Sequence, residues 1–131
     1  MSLWQPCIDP AYVEGLRAFV GQHIAPEADA IDREDVYPTA IVKDLAAAGY
    51  NAATTETRYG GGGLRYCHAA PIFEEVSYAS AAVGISLITI FQAHTLLKPT
   101  GSDRFKDEHL PRFAEGLTSS YALPAPRHDS A

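Results

Sequence analysis

Apolar residues recur in steps of three and four along the first part of the chain: Val13, Leu16, Val20, Ile24, Ala28 and Ile31. At 3.6 residues per turn these positions form one stripe, which predicts a helix over 10–31. Asp9 suits the N-cap and Pro10 the first helical position. Pro26 lies inside the pattern, and its ring would clash with the carbonyl of Gln22, so a kink is expected there. A second helix is expected over 38–48, opened by Pro38, with Ile41, Val42 and Leu45 inward and Gly49 as a left-handed stop. Residues 50–63 read as a Thr-rich loop ending in four glycines. A third helix is expected over 66–80, with Ile72, Phe73, Val76 and Ala79 buried and Glu74 and Glu75 turned elsewhere; Pro71 should bend it or delay its start.

From residue 76 to residue 97 there is no Asp, Glu, Lys or Arg. A bilayer span needs about 20 predominantly apolar residues. Here Ser77, Ser80, Ser86, Thr89, Gln92, His94 and Thr95 interrupt the run. A central helix over 82–97, wrapped by other helices, fits this pattern better than a membrane span. Pro99 and Gly101 should stop it. Ser102 then caps a fifth helix over 103–114, with Asp103 favourable in its first turn and Gly116 closing it. Residues 117–123 read as extended, until Pro124 and Pro126 break any regular element. About five helices, short connections and no convincing strand pair predict an all-α helical bundle.

Composition narrows the picture. The chain has 131 residues, enough for one domain with a real core. Its net charge of -6 and lack of any Lys/Arg run oppose nucleic acid and anionic membrane surfaces as partners. Cys7 and Cys67 stand far apart without a CxxC, which favours two thiols in a reducing compartment and hence a cytoplasmic protein. His23, His68, His94, His109 and His128 are scattered, so no metal site is expected.

Three features bear on chemistry. A run of glycines, Gly60 to Gly63, can in principle cradle phosphate through its amides. No Gly-Lys-Ser/Thr follows and no strand precedes, so a tight crossing between helices is the expected role. His94 is a lone histidine in an apolar helix, where a satisfied buried imidazole is the default. Glu74 and Glu75 are adjacent and so diverge on a helix, which rules them out as a ready-made carboxylate pair.

The segment Gly101-Ser102, Lys106, Leu110-Pro111, Ala114-x-Gly116 resembles the close of the N-terminal helical domain of acyl-CoA dehydrogenases. The resemblance extends over the chain. Phe19-Val20 through Ile24-Ala25-Pro26 is similar to the family's first helix. Tyr37-Pro38 through Leu45-Ala46-Ala47-Ala48-Gly49-Tyr50 is similar to the second, and Phe73-Glu74-Glu75-Val76 to the third. Tyr59-Gly60-Gly61 matches a family Tyr-Gly-Gly, although Glu56-Thr57-Arg58 stands where the family has Pro-Glu-Glu or similar. The stretch from His94 to Gly101 is short for the family, so the fourth helix is expected to end early or pack differently.

What the resemblance implies is an FAD-dependent, three-domain oxidoreductase that α,β-dehydrogenates acyl-CoA thioesters. Residues 1–120 would be its N-terminal helical domain and 121–131 a vestige of the start of its flavin-binding β-domain. In the family that start touches the flavin. Tyr121, Leu123, Pro126 and Ser130 match it, while Pro124 replaces a Thr, Ala125 a Glu, Asp129 a Gly and Ala131 an Asp. The cofactor positions implied, in degenerate form, are therefore Tyr121, Leu123, Pro124 and Ser130. Divergence and a shortened reading frame both account for the changes. The acyl pocket wall implied is Ser86, Leu87 and Ile90 on the fourth helix. No catalytic residue is assigned, because the family's base lies on a domain beyond this stretch. The chain alone is expected to be inactive and to bind no FAD. An apolar face left by the missing domains is expected to drive homo-oligomer formation. The competing reading is a stand-alone helical module that binds a partner or an acyl group without redox activity, its face covered or polar.

Overall fold

The computed structural model describes residues 8–120, and they form an all-α bundle with no strand among them. Helix α1 spans Pro10–His23 and α2 spans Ala28–Glu34, joined by a 3-10 turn at Ala25–Glu27. Together they occupy the predicted first helix. Pro26 does more than kink it: the α-ladder stops, and a 3-10 turn carries the chain past the proline. The Asp9 side chain accepts from the Ala11 N–H at 3.0 Å and caps α1. Asp35 ends α2 in the left-handed region, φ 51°, a conformation that a short polar side chain tolerates better than most.

Helix α3 spans Thr39–Ala47, with Pro38 just before it rather than inside it. Gly49 follows with φ 82°, the left-handed stop its position predicts. A 3-10 turn at Tyr66–His68 leads into α4, Ala69–Ala79, so Pro71 sits in the first turn and delays the start of the helix. Helix α5 spans Ala81–Thr100 and α6 spans Asp103–Ala114. Ser80 and Ser102 are their N-caps, accepting from the Val83 and Phe105 amides at 3.4 and 3.3 Å.

The expected early end of the fourth helix is wrong. It runs through Pro99 to Thr100, and the Gly101 N–H still bonds the Leu97 carbonyl at 2.8 Å. A proline in the last turn removes only one ladder bond, that to the Thr95 carbonyl, so the helix survives it there.

Two apolar clusters hold the bundle. The larger joins α1, α3, α4 and α5 through Leu16, Val20, Leu45, Ile72, Val76 and Leu87. The smaller joins α3, α5, α6 and the Tyr59 turn through Val42, Tyr59, Ile90, Leu110 and Phe113. Each fully buried aliphatic side chain contributes about 1.5–3 kcal/mol, so these clusters dominate stability. By contrast, the Arg17–Glu75 pair that ties α1 to α4 at 2.7 Å is largely solvated on the Arg side and is worth at most about 1 kcal/mol. Glu75 thus binds a neighbouring helix, as its divergence from Glu74 allows. Helices α4 and α5 approach closely because Gly84 faces Ser77; a Cβ on Gly84 would lie 2.9 Å from the Ser77 Cβ.

Candidate functional site

Helix α5 is the element on which everything else is built. One side carries Val83, Leu87, Ile90, Phe91 and His94 into the core. The other side is not wrapped, contrary to expectation: Ile85, Ile88 and Leu96 are 65%, 38% and 46% exposed. These residues recur in steps of three and eight, one stripe along the helix. By length and composition α5 could also cross a bilayer, but its inward side is spent on the two clusters.

Grooves flank the stripe. One, of about 550 Å³, runs between α5 and the segment after α6, lined by Tyr37, Ile85, Ser86, Thr89, Thr118 and Ser119. Three of its hydroxyls are committed donors. Ser86 Oγ donates to the Ala82 carbonyl at 3.0 Å, Thr89 Oγ1 to the Ser86 carbonyl at 2.8 Å, and Ser119 Oγ to the Thr89 carbonyl at 3.3 Å. From Ile85, Ser86, Thr89 and Ser119 the groove therefore offers a ligand methyl groups and hydroxyl lone pairs. A second groove, of about 260 Å³, lies between α5 and α6 and is bordered by Leu96, Phe105, His109 and Phe113. A third, of about 210 Å³, is lined by Tyr66, Phe73, Ile88 and Phe91.

Of the three implied pocket residues, Ser86 lines the first groove. Leu87 and Ile90 are 1% and 0% exposed and belong to the larger and smaller core cluster respectively. The groove-facing partners of Ser86 are instead Ile85 and Thr89, one position before it and three after it. The four implied flavin positions, Tyr121, Leu123, Pro124 and Ser130, lie outside the described residues.

The glycine run is fully engaged. The amides of Gly60, Gly61, Gly62 and Gly63 bond the carbonyls of Thr57, Glu56, Ala52 and Thr55 at 3.0, 3.2, 3.1 and 2.8 Å. No amide is left there to cradle a phosphate, and the structural role holds. A Cβ on Gly62 would lie 2.7 Å from the Ala53 carbonyl oxygen, and one on Gly61 would collide with that of Thr55. Glycine is required at both positions because backbone meets backbone.

Beneath this loop is a polar node that the sequence did not reveal. Residues 51–55 are all buried, although they form no helix or strand. His94, 0% exposed, faces Thr55, with Nδ1 and Oγ1 3.3 Å apart, and packs between the rings of Phe91 and Phe113. Asn51 Nδ2 donates to the Val42 carbonyl at 3.1 Å, and Lys98 Nζ donates to the Thr54 carbonyl. Yet His94 Nε2, Asn51 Oδ1 and Thr54 Oγ1 are buried without a partner. His94 Nε2 meets no partner within hydrogen-bond distance, although the Asn51 backbone lies near enough to favour the protonated ring. Burial first, and the Lys98 ammonium second, push its pKa down from 6.5 to about 4; the Asn51 backbone opposes this weakly. Elsewhere, burial and the neighbouring Tyr50 push the Tyr12 phenol up to about 12.

Among the described residues no group of three or more His, Cys, Asp or Glu side chains is placed to hold a metal ion. Cys67 Sγ lies 3.5 Å from His68 Nδ1, but neither residue lines any of the three grooves. Fold and grooves together define a helical domain with one bare side and no reaction centre of its own among the described residues.

Residues 10–117 match the acyl-CoA dehydrogenase N-terminal domain model. The chain belongs to the acyl-CoA dehydrogenase family. It is 33% identical over 105 residues to a mitochondrial isovaleryl-CoA dehydrogenase of Pongo abelii, covering 75% of this chain and 24% of that protein. It is 33% identical over 110 residues to a probable acyl-CoA dehydrogenase of Mycobacterium leprae, covering 82% and 28%. The fold is similar to that of butyryl-CoA dehydrogenase from Megasphaera elsdenii, with TM-score 0.73 and 22% identity over 88% of this chain and 30% of that one. A structure described as the electron transferring flavoprotein of Acidaminococcus fermentans gives TM-score 0.76 and 21% identity over the same shares. The chain therefore spans about a quarter of the length of these two curated relatives.

Proposed function

We propose that this chain acts as the N-terminal wall of an FAD-dependent acyl-CoA dehydrogenase, whose substrate is an acyl-CoA thioester. The observation that carries the reading is the bare apolar stripe of α5 beside the Ser86 groove, in a chain of this family. Ile85, Ser86 and Thr89 form the side of the acyl site. An apolar wall binds chain methylenes at about 0.8 kcal/mol per buried CH₂. That contributes affinity and length selection and leaves the chemical step to residues beyond those described. In a full-length enzyme the hydride acceptor would be supplied by FAD. The amides of Gly60 to Gly63 are all engaged, so this loop does not fit its diphosphate. The chain alone is proposed to bind no flavin. We place it in the cytoplasm on its sparse cysteine usage, with neither nucleic acid nor membrane as partner on its net charge of -6.

The competing reading, a self-sufficient helical module, predicts a covered or polar α5 side. Exposed Ile85, Ile88 and Leu96 count against it.

A chimera tests the proposal. Residues 10–117 replace the matching segment of the acyl-CoA dehydrogenase of Bacillus subtilis, to which the chain is 27% identical over 121 residues. The expected outcome is acyl-CoA-dependent dye reduction by the chimera and none by this chain alone. A folded, flavin-loaded chimera without activity would overturn it.

A further inference from the structure

The polar node under the glycine loop serves no role in the reading above and does not depend on it. The loop over residues 50–64 is laced to itself by the glycine amides and by the Leu64 N–H to the Ala53 carbonyl at 2.9 Å. Among the described residues, three side-chain hydrogen bonds tie the loop to the helices, beside the apolar packing of Ala53 and Tyr59: Asn51 to Val42, Lys98 to Thr54, and His94 to Thr55. Of these, only the last includes a group whose charge changes at mildly acidic pH.

The elements packed on the imidazole are α5 itself, the loop, and α6 through Phe113. Among the described residues, Lys98 is the one charge acting on the ring; no carboxylate offsets it. A proton on His94 would leave both ring nitrogens as donors and turn the Thr55 hydroxyl to acceptor only. It would also set a buried cation near the part-buried Lys98 ammonium, with the Asn51 backbone and the faces of Phe91 and Phe113 as its only stabilising neighbours among the described residues. Three buried polar atoms at this junction already lack partners, so the contact starts from a strained balance.

We propose that the His94–Thr55 contact is a proton-operated latch, which on protonation of the imidazole releases the 50–64 loop from α5 while the helix bundle stays folded. The sign follows from the displaced titration of His94, held near 4 in the closed state against 6.5 for an open, solvated imidazole. Closure is fully supported above about 6.5 and loses support as pH falls towards about 4. Within that window, each pH unit shifts the opening equilibrium by about tenfold.

Hydrogen exchange of the whole chain, corrected for the intrinsic pH dependence of exchange, tests this. Protection of the Gly61, Gly62, Gly63 and Leu64 amides should fall by about tenfold per unit across the window, while α5 amides over 83–94 keep theirs. His94→Gln should abolish the slope. Should that variant fail to fold, the wild-type His94 ring resonance followed by NMR must titrate in step with loop opening. Flat loop protection, simultaneous loss in loop and α5, a slope that persists in His94→Gln, or a ring titrating out of step would each overturn the latch.

Discussion

Glycines separate into two kinds here, although the sequence prints them alike. Gly15 and Gly21 sit in α1 with nothing within 4 Å of where a Cβ would stand, whereas Gly61 and Gly62 meet loop carbonyls. Gly15→Ala and Gly21→Ala should each stabilise the chain by about 0.5–1 kcal/mol, since alanine orders a helix at lower entropic cost. Gly61→Ala or Gly62→Ala should destabilise it by about 2 kcal/mol or more, because backbone must move. Urea denaturation of the four variants checks this, and equal shifts in both pairs would refute the steric account. The contrast was half legible. The cluster of four glycines announced a tight crossing; which carbonyls it crosses depends on residues 51–55 folding under it, and no local periodicity encodes that. His94 was legible as a buried imidazole for the same reason that its lone nitrogen was not: burial follows from the apolar run around it, while partners come from a loop some forty positions away.

At the scale of elements, caps and breakers wrote most boundaries in advance. Asp9, Gly49, Ser102 and Gly116 all stand where the helices start or stop. Pro99 misled because a proline was read as a stop irrespective of its distance from the helix end. In the final turn, it forfeits one bond, and α5 continues. Asp35, the left-handed end of α2, was invisible because its signal was that of any surface aspartate. Ser80 matters more than its plain sequence suggests, since it both ends α4 and caps α5. Ser80→Ala and Ser102→Ala should each cost about 1 kcal/mol, measured as a drop in thermal midpoint of several degrees for a chain of this size. An Asp at either position should restore most of it; failure of that rescue would show that the serines act by packing and not by capping.

For the whole molecule, the bare side of α5 is the surface on which self-association can be estimated. Ile85, Ile88 and Leu96 are on average about half exposed, so a symmetric pair of chains facing each other buries the equivalent of about three whole side chains. At about 1.5–3 kcal/mol each, that amounts to roughly 4–9 kcal/mol. Association costs about 4–15 kcal/mol in lost freedom before any polar desolvation. The gain reaches only the lower half of that cost, so self-association through this stripe should be weak and concentration-dependent, unlike a permanent dimer. Sedimentation velocity across a wide concentration range should show a shifting average mass. Ile85→Lys combined with Leu96→Lys should return it to monomer without lowering the thermal midpoint, because neither side chain supports the core. A tight dimer insensitive to those substitutions would place the contact elsewhere. A monomer at every concentration would mean that the stripe by itself is too small to hold two copies together, which sets the size any larger covering surface has to exceed.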